Sequence, residues 1–425
     1  MGAVEVNGYT IKPGADLRGA DLQRAELTQA DLADANLTNA RLTKANLTAA
    51  DLSRADLCSV FAHMAHLQRA NLQGANLHKA CFKAAKLSQA DFRAANLSQA
   101  DFRGAKLSRA DLRDANLHWT QLEGADFSMA DLRDANLEGA NLPGANLEGA
   151  NLEGANLREA NLNNANLEGA NLAKACLGGA YLGGVNLEGV NLEGADLAGA
   201  YLEGVNLEGA KLAGVNLEGA DLAGVNLEGG NLEGAKLEGA KLRAANLSNA
   251  NLEGAKLTEA IADQHTLWPD GFDPVAGNVL MFIPKANFAE SKLAGVNLSR
   301  GTLAGVDFCG ADLEGATLTY ANLEESKLEG TNLATAQLGI ANLEGANLVG
   351  ANLVGANLGG ASLKGANLTN ANLEGASLQG ADLQGADLTG ANLGRGRSMF
   401  LWAVADQETR WPDGFDPIAH SVTFE

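Results

Sequence analysis

The sequence predicts an all-β solenoid, and three observations carry that reading. Leucine or phenylalanine recurs at every fifth residue from Leu17 to Leu257 and again, one step out of phase, from Phe288 to Leu393. A small residue, usually alanine, stands two places before each of them. Glycine occurs 51 times in 425 residues while aromatic residues make up only 5%, a composition unlike that of an ordinary globular core.

A period of five fits neither the roughly 3.6 residues per turn of a helix nor the roughly 2 of a strand. Glycine at so many fifth places also penalises helix by about 1 kcal/mol each time. A five-residue unit cannot bury an apolar face alone, so each unit must build one side of a coil and successive coils must stack. The first array holds 49 large positions, of which only Ala62 is neither Leu nor Phe, and the second holds 22 without exception. Together they occupy 355 of 425 residues, so the repeat is the fold. At the single lapse, "CSVFAHMAHL", Val60 takes the small slot and Ala62 the large one, an exchange that roughly conserves volume and permits a kink without requiring one.

The consensus A(N/D)LxG resembles the pentapeptide-repeat family. That resemblance implies a right-handed quadrilateral β-helix with four pentapeptides per coil, arranged here as two arrays. Leucine and the preceding small residue then point inward and fill a narrow lumen that leaves no room for a substrate. With coils spaced by about 4.8 Å, the first array forms a rod of about 58 Å and the second one of about 26 Å. Outward Asn and Asp recur in columns suited to side-chain hydrogen-bond ladders.

In the turn Leu-Glu-Gly-Ala, glycine holds the third place, which takes positive φ in a type II turn. Before residue 136 that place is often occupied by other residues, such as Arg24, Gln29 and Asp34. The sequence therefore predicts a change of turn type along the first array, with positive φ mostly after residue 136.

The expected organisation is an N-terminal cap over residues 1–14, a first array over 15–260, a terminator or insert over 261–285, a second array over 286–395 and a C-terminal cap over 396–425. The opening "VEVNGYTIKPG" alternates and carries β-branched residues, as a short capping strand should. Both arrays end on the segment WPDGFDP, with Trp268 and Trp411 set 143 residues apart, so array and terminator read as a duplicated module. The last coil of a solenoid exposes an apolar lumen and unpaired strand edges. Trp268, Pro269 and Phe272, and their counterparts Trp411, Pro412 and Phe415, are expected to cover that end and refuse further pairing. Similar terminators follow the repeats in family members of photosynthetic bacteria, as far as the resemblance reaches. A docking epitope is the other use for such a segment.

Charge is unevenly distributed. Net charge is -21, yet residues 1–135 carry 16 basic and 16 acidic side chains, while 136–260 carry 7 against 17 and 261–425 carry 8 against 19. Such acidity disfavours direct binding of nucleic acid or of anionic membranes. A protein partner with basic character is expected, and Glu188, Glu208 and Glu228, twenty residues apart, form the candidate docking column. The N-terminal residues lack a basic region followed by an apolar run, no stretch of 18 apolar residues occurs, and the four cysteines lack paired spacing. A soluble cytoplasmic chain is the expectation. Its "NL[ST]" triplets arise from the repeat itself and imply no glycosylation.

No metal site or cofactor is expected. Cys58 and His78 share an outward column, with His118 two coils further on, but two ligands fall short of the three or four that zinc takes. Asp270, Asp273, Asp413 and Asp416 lack the further regularly spaced oxygen ligands of a calcium loop. No HExxH, GxSxG, Walker or dinucleotide fingerprint is present. The sequence thus reads as a non-enzymatic structural or interaction scaffold with an unidentified protein partner. The alternative is an acidic DNA mimic that occupies a DNA-binding enzyme such as a type II topoisomerase, as some members of the resembled family do.

Overall fold

Every N–H of the five-residue unit has an assigned destination, and this explains the consensus. In the unit Asn36-Leu37-Thr38-Asn39-Ala40, the Asn36 amide donates to Ala15 O one coil below, at 2.9 Å. Leu37 N donates to Asp56 O above at 2.7 Å, and Asn39 N to Cys58 O at 3.0 Å. Ala40 N closes the turn onto Leu37 O at 2.8 Å. The fifth donor, Thr38 N, is taken by the Asn36 side-chain oxygen at 3.0 Å. Asn or Asp stands before leucine because a short side-chain acceptor reaches the amide two residues on, an Asx turn that completes the backbone accounting. The same oxygens are linked coil to coil, as from Asn156 Nδ2 to Asn136 Oδ1 at 3.1 Å.

The computed structural model describes residues 4–394 and 399–425. The expected boundary between second array and C-terminal cap, at 395–396, lies outside them. Two compact units emerge, Met1–Leu280 and Met281–Glu425. Within each, parallel single-residue bridges join a position to the one twenty residues on, from Asp16↔Asn36 through Lys241↔Ile261 in the first and from Asn287↔Asp307 through Asn372↔Asn392 in the second. A coil therefore takes twenty residues. Leu222, Leu227 and Leu232 are fully shielded from solvent, with Val225 and Gly230 in the small slots between them. Within each unit the lumen is a packed core. Val60 and Ala62 are both fully buried, and the ladder passes them unbroken, with Ala62 N on Cys81 O and Cys81 N on Val60 O, each at 2.8 Å.

One expectation is overturned. The turn does not change type along the first array, because Arg24, Gln29 and Asp34 adopt φ of 58°, 56° and 57°, close to the 62° of Gly139. The third-place N–H must point at the next coil, as Arg24 N does at Thr43 O, 3.0 Å away, and only the left-handed conformation aims it there. A left-handed non-glycine residue costs about 1–2 kcal/mol. The coil-to-coil hydrogen bond and the register of every unit above offset that cost, so packing overrides local preference.

The ends are specialised. Strands β1 (Val4–Val6) and β2 (Tyr9–Ile11) pair antiparallel, with Val4 opposite Ile11, around Asn7-Gly8, both at positive φ. That dipeptide suits a two-residue hairpin. Ile11 is buried and the Tyr9 hydroxyl accepts the Asp21 N–H at 3.3 Å, which places the hairpin against the first coil. Strands β3 (Ile261–Asp263) and β4 (Leu280–Phe282) flank the first WPDGFDP segment. In the second unit β5 (Val404–Ala405) pairs parallel with β6 (Thr423–Phe424), after a short 3-10 turn over Ile418–His420.

Candidate functional site

The two terminators share their internal geometry. Indole and phenyl rings stack with centroids 5.0 Å apart in both Trp268–Phe272 and Trp411–Phe415. Upstream, Thr266 Oγ1 accepts the Asp263 N–H at 3.1 Å and donates to Leu242 O at 2.8 Å, while Thr409 Oγ1 accepts from Asp406 N at 3.1 Å and donates to Leu383 O at 2.9 Å. Both threonines are buried. Downstream, Asp273 Oδ1 accepts the Val275 N–H at 2.9 Å and Asp416 Oδ1 accepts that of Ile418 at 3.0 Å. These aspartates shape a turn. Trp268, Pro269, Phe272, Trp411, Pro412 and Phe415 are all half-buried, whereas Asp270 and Asp413 are exposed. Phe400 is buried against the second terminator, 5.5 Å from both Trp411 and Phe415.

Cys58 and His78 occupy neighbouring coils, as expected, but the His78 ring turns the other way, with Nδ1 2.9 Å from Ser98 Oγ. Among the described residues no three His, Cys, Asp or Glu side chains gather in a manner that holds a metal. Glu188, Glu208 and Glu228 do stack, since Gly189 N reaches Glu208 O and Gly209 N reaches Glu228 O, each at 2.8 Å. Glu188 and Glu208 are exposed; Glu228 is half-buried and its Oε2 accepts from Asn246 Nδ2 at 3.2 Å. Glu148 and Glu168 extend the same column downward through Gly149 N to Glu168 O. Five carboxylates thus stand on one line of the first unit.

Charges below residue 136 are organised differently. Arg93, Arg113 and Arg133 each clamp the aspartate two residues earlier, at 2.6 Å, and Arg93 and Arg113 also lean toward Asp111 and Asp131 of the next coil at 3.7 and 3.6 Å. The column alternates sign and neutralises itself. Hydrogen bonds from Arg133 hold the Asp131 carboxyl below the usual carboxylate range. Burial raises Asp91, but the Arg93 bonds more than reverse this and leave it lowered. On an exposed coil, the Arg18 side chain brings Asp16 down to about 2. Sequence reading missed this ladder although its signal, D-[LF]-R at intervals of twenty, lies in the chain. It also missed the exposed stacked pair Tyr181 and Tyr201, again twenty residues apart, with ring centroids at 4.8 Å.

A cavity of about 130 Å³ lies at the base of the first unit, lined by Val4, Val6, Ile11 and Leu27 among others. It is small beside the clefts that enclose most small-molecule ligands. No helix among the described residues is long and apolar enough to cross a membrane.

A solenoid of stacked twenty-residue coils built from five-residue units defines the class. The family model for pentapeptide repeats matches residues 14–261, apart from residues 49, 129 and 190, and residues 285–395, apart from 334–335. The chain belongs to the pentapeptide repeat family, and membership implies a right-handed β-helix. Among solved structures it is similar to HetL, a pentapeptide repeat protein involved in heterocyst differentiation regulation from the cyanobacterium Nostoc sp. strain PCC 7120, with 40% identity over 43% of this chain and 84% of that one and a TM-score of 0.36. A pentapeptide repeat protein of the Arabidopsis thaliana thylakoid lumen shares 28% identity over 24% of this chain and 69% of its own, with a TM-score of 0.20. QnrB1, a plasmid-mediated fluoroquinolone resistance protein, shares 20% identity over 48% of this chain and 94% of its own, with a TM-score of 0.19. No curated protein matches.

Proposed function

We propose that this chain is a non-enzymatic interaction scaffold, a quadrilateral β-helix in two arrays that presents outward columns of side chains to a protein partner. The observation that carries this is the packed lumen: Leu222, Leu227 and Leu232 are at 0% exposure, so recognition is left to the outer faces. Residues 15–260 and 286–395 form the arrays, closed by caps at 1–14 and 396–425. Trp268, Pro269, Phe272, Trp411, Pro412 and Phe415 act as terminators, each group supported by its tight aromatic stack. The cytoplasm is the proposed location, without direct contact to nucleic acid or membrane.

The docking face lies within 136–260, where Glu188, Glu208 and Glu228 stand in one column free of intervening cations. Steering by such a column is long-range and salt-sensitive. The test is a cross-linking capture with purified full-length chain against the triple variant Glu188→Gln, Glu208→Gln, Glu228→Gln. Loss of the captured partner supports the column as docking face, and undiminished capture rejects it. The five-carboxylate column also favours a second reading, an acidic DNA mimic that occupies the basic groove of an enzyme such as a type II topoisomerase. Competition distinguishes the two: duplex DNA displaces the chain from its partner only if mimicry holds.

A further inference from the structure

Tyr181 and Tyr201 break the polar pattern of the outer surface. They occupy the place before leucine where Asn or Asp normally takes the amide two residues on, so each gives up an Asx turn. The loss is visible at Gly183, whose N–H is taken instead by Asn163 Oδ1 of the coil below at 2.8 Å. The rings stack nearly parallel, 6° apart, yet stay 46% and 49% exposed. Neither is spent on the core.

The corners beside Tyr181 carry no side chains of their own, and Arg158, Glu159, Asn163 and Asn164 of the coil below lie against them. Gly178 and Gly179 precede Tyr181 at one corner of the coil and Gly183 and Gly184 follow it at the next. Gly179 and Gly184 take positive φ, as third-place residues do throughout. Gly178 has no such reason: its φ is not positive, and an added Cβ would meet only Ala198 O at 3.5 Å and Arg158 Cγ at 4.0 Å, ordinary contact distances. The Arg158 side chain passes this corner toward Asp196, 3.8 Å from its guanidinium, so that cation is already directed at a carboxylate. Beyond Gly183-Gly184 the chain turns directly into the side that carries Glu188, and Glu203 is exposed beside Tyr201. The segment 136–260 carries 17 acidic against 7 basic side chains.

We infer that Tyr181 and Tyr201, with exposed Glu203 beside them, are the anchor of a docking face whose occupant is a basic polypeptide segment rich in arginine. The inference rests on the scaffold reading above and deepens it. Guanidinium groups stack on tyrosine rings and pair with carboxylates, so one arginine-bearing strand satisfies both the exposed rings and the adjoining glutamates. Anchors of this kind, aromatic and rimmed by polar groups, dominate binding energy in protein interfaces.

The test measures fluorescence anisotropy of a labelled deca-arginine peptide titrated with full-length chain at about 150 mM salt, where distant charges are screened. Three chains are compared with the parent: Tyr181→Ala with Tyr201→Ala, Glu203→Gln, and Tyr320→Ala as an exposed-tyrosine control in the second unit. The double tyrosine variant is expected to weaken binding by about tenfold and Glu203→Gln to weaken it in the same direction, with the control unchanged. Unaltered thermal melting shows that the fold survives. Equal binding by parent and tyrosine variants, with loss on replacing Glu188, Glu208 and Glu228 by Gln, overturns the anchor but leaves the scaffold reading intact. A parent chain that ignores deca-arginine, or that binds maltoheptaose through these tyrosines instead, overturns the assignment of a basic polypeptide.

Discussion

Ile340 tests the balance between local preference and packing at a single position. It stands at the third place of its turn with φ of 58°, a conformation in which a β-branched residue is strained. Its side chain is 54% exposed, so little burial rewards the strain. Ile340→Gly is therefore expected to raise stability by about 1 kcal/mol, seen as a higher melting temperature. A lower melting temperature would mean that contact with Gly360 above outweighs the backbone. Inside the lumen the sign reverses: Leu227, fully buried, has no neighbour free to collapse, and Leu227→Ala should cost about 2–5 kcal/mol in denaturant melts. The inward positions were legible in the sequence because one residue in five obeyed a single size rule. The role of Asn and Asp was half legible, since the column could be read but the local amide each oxygen accepts could not.

Turns and terminators belong to the scale of the element, where reading from composition went astray. A single pentapeptide carrying Arg24 at its third place has no reason to choose positive φ; the stack supplies that reason through the bond from Arg24 N to Thr43 O. Propensity is local, whereas this cost is offset by a neighbour twenty residues away. The terminators were visible as repeated letters, but the buried threonine in each was not singled out. Thr409 Oγ1 both accepts from Asp406 N and donates to Leu383 O, so Thr409→Val leaves the Asp406 amide without its partner and takes one of two donors from Leu383 O, the other being Ala386 N. The expected cost is about 1–3 kcal/mol, concentrated in faster hydrogen exchange over β5 and β6. Uniform acceleration throughout the second unit would show that the threonine supports global rather than local stability.

Across the whole chain, acid titration sets two effects against each other. Net charge of -21 at neutral pH strains the folded state by self-repulsion, and proton uptake relieves that strain as pH falls toward the isoelectric point near 4.7. Asp16, Asp91, Asp101 and Asp131 act in the opposite sense. Each has a folded pKa below its ordinary value, so its contribution is present above about 4, the unfolded value, and is lost as pH drops through the folded one. For Asp16 that extends to about 2. The two effects act in different windows, so the melting temperature should climb gently from about pH 7 to about 5, then fall steeply between about 4 and 2. Added salt should raise the melting temperature at pH 7 by screening the repulsion and change it little near pH 5, where net charge is small. Replacing Asp91 and Asp131 by Asn removes two carboxylates from the arginine ladder and should flatten the acid limb without moving the maximum. A melting temperature that does not rise between about pH 7 and 5 would show that self-repulsion does not limit stability there, because the paired aspartates stay ionised in both states over that window and add no slope, and the acidic columns would then cost the fold almost nothing to display.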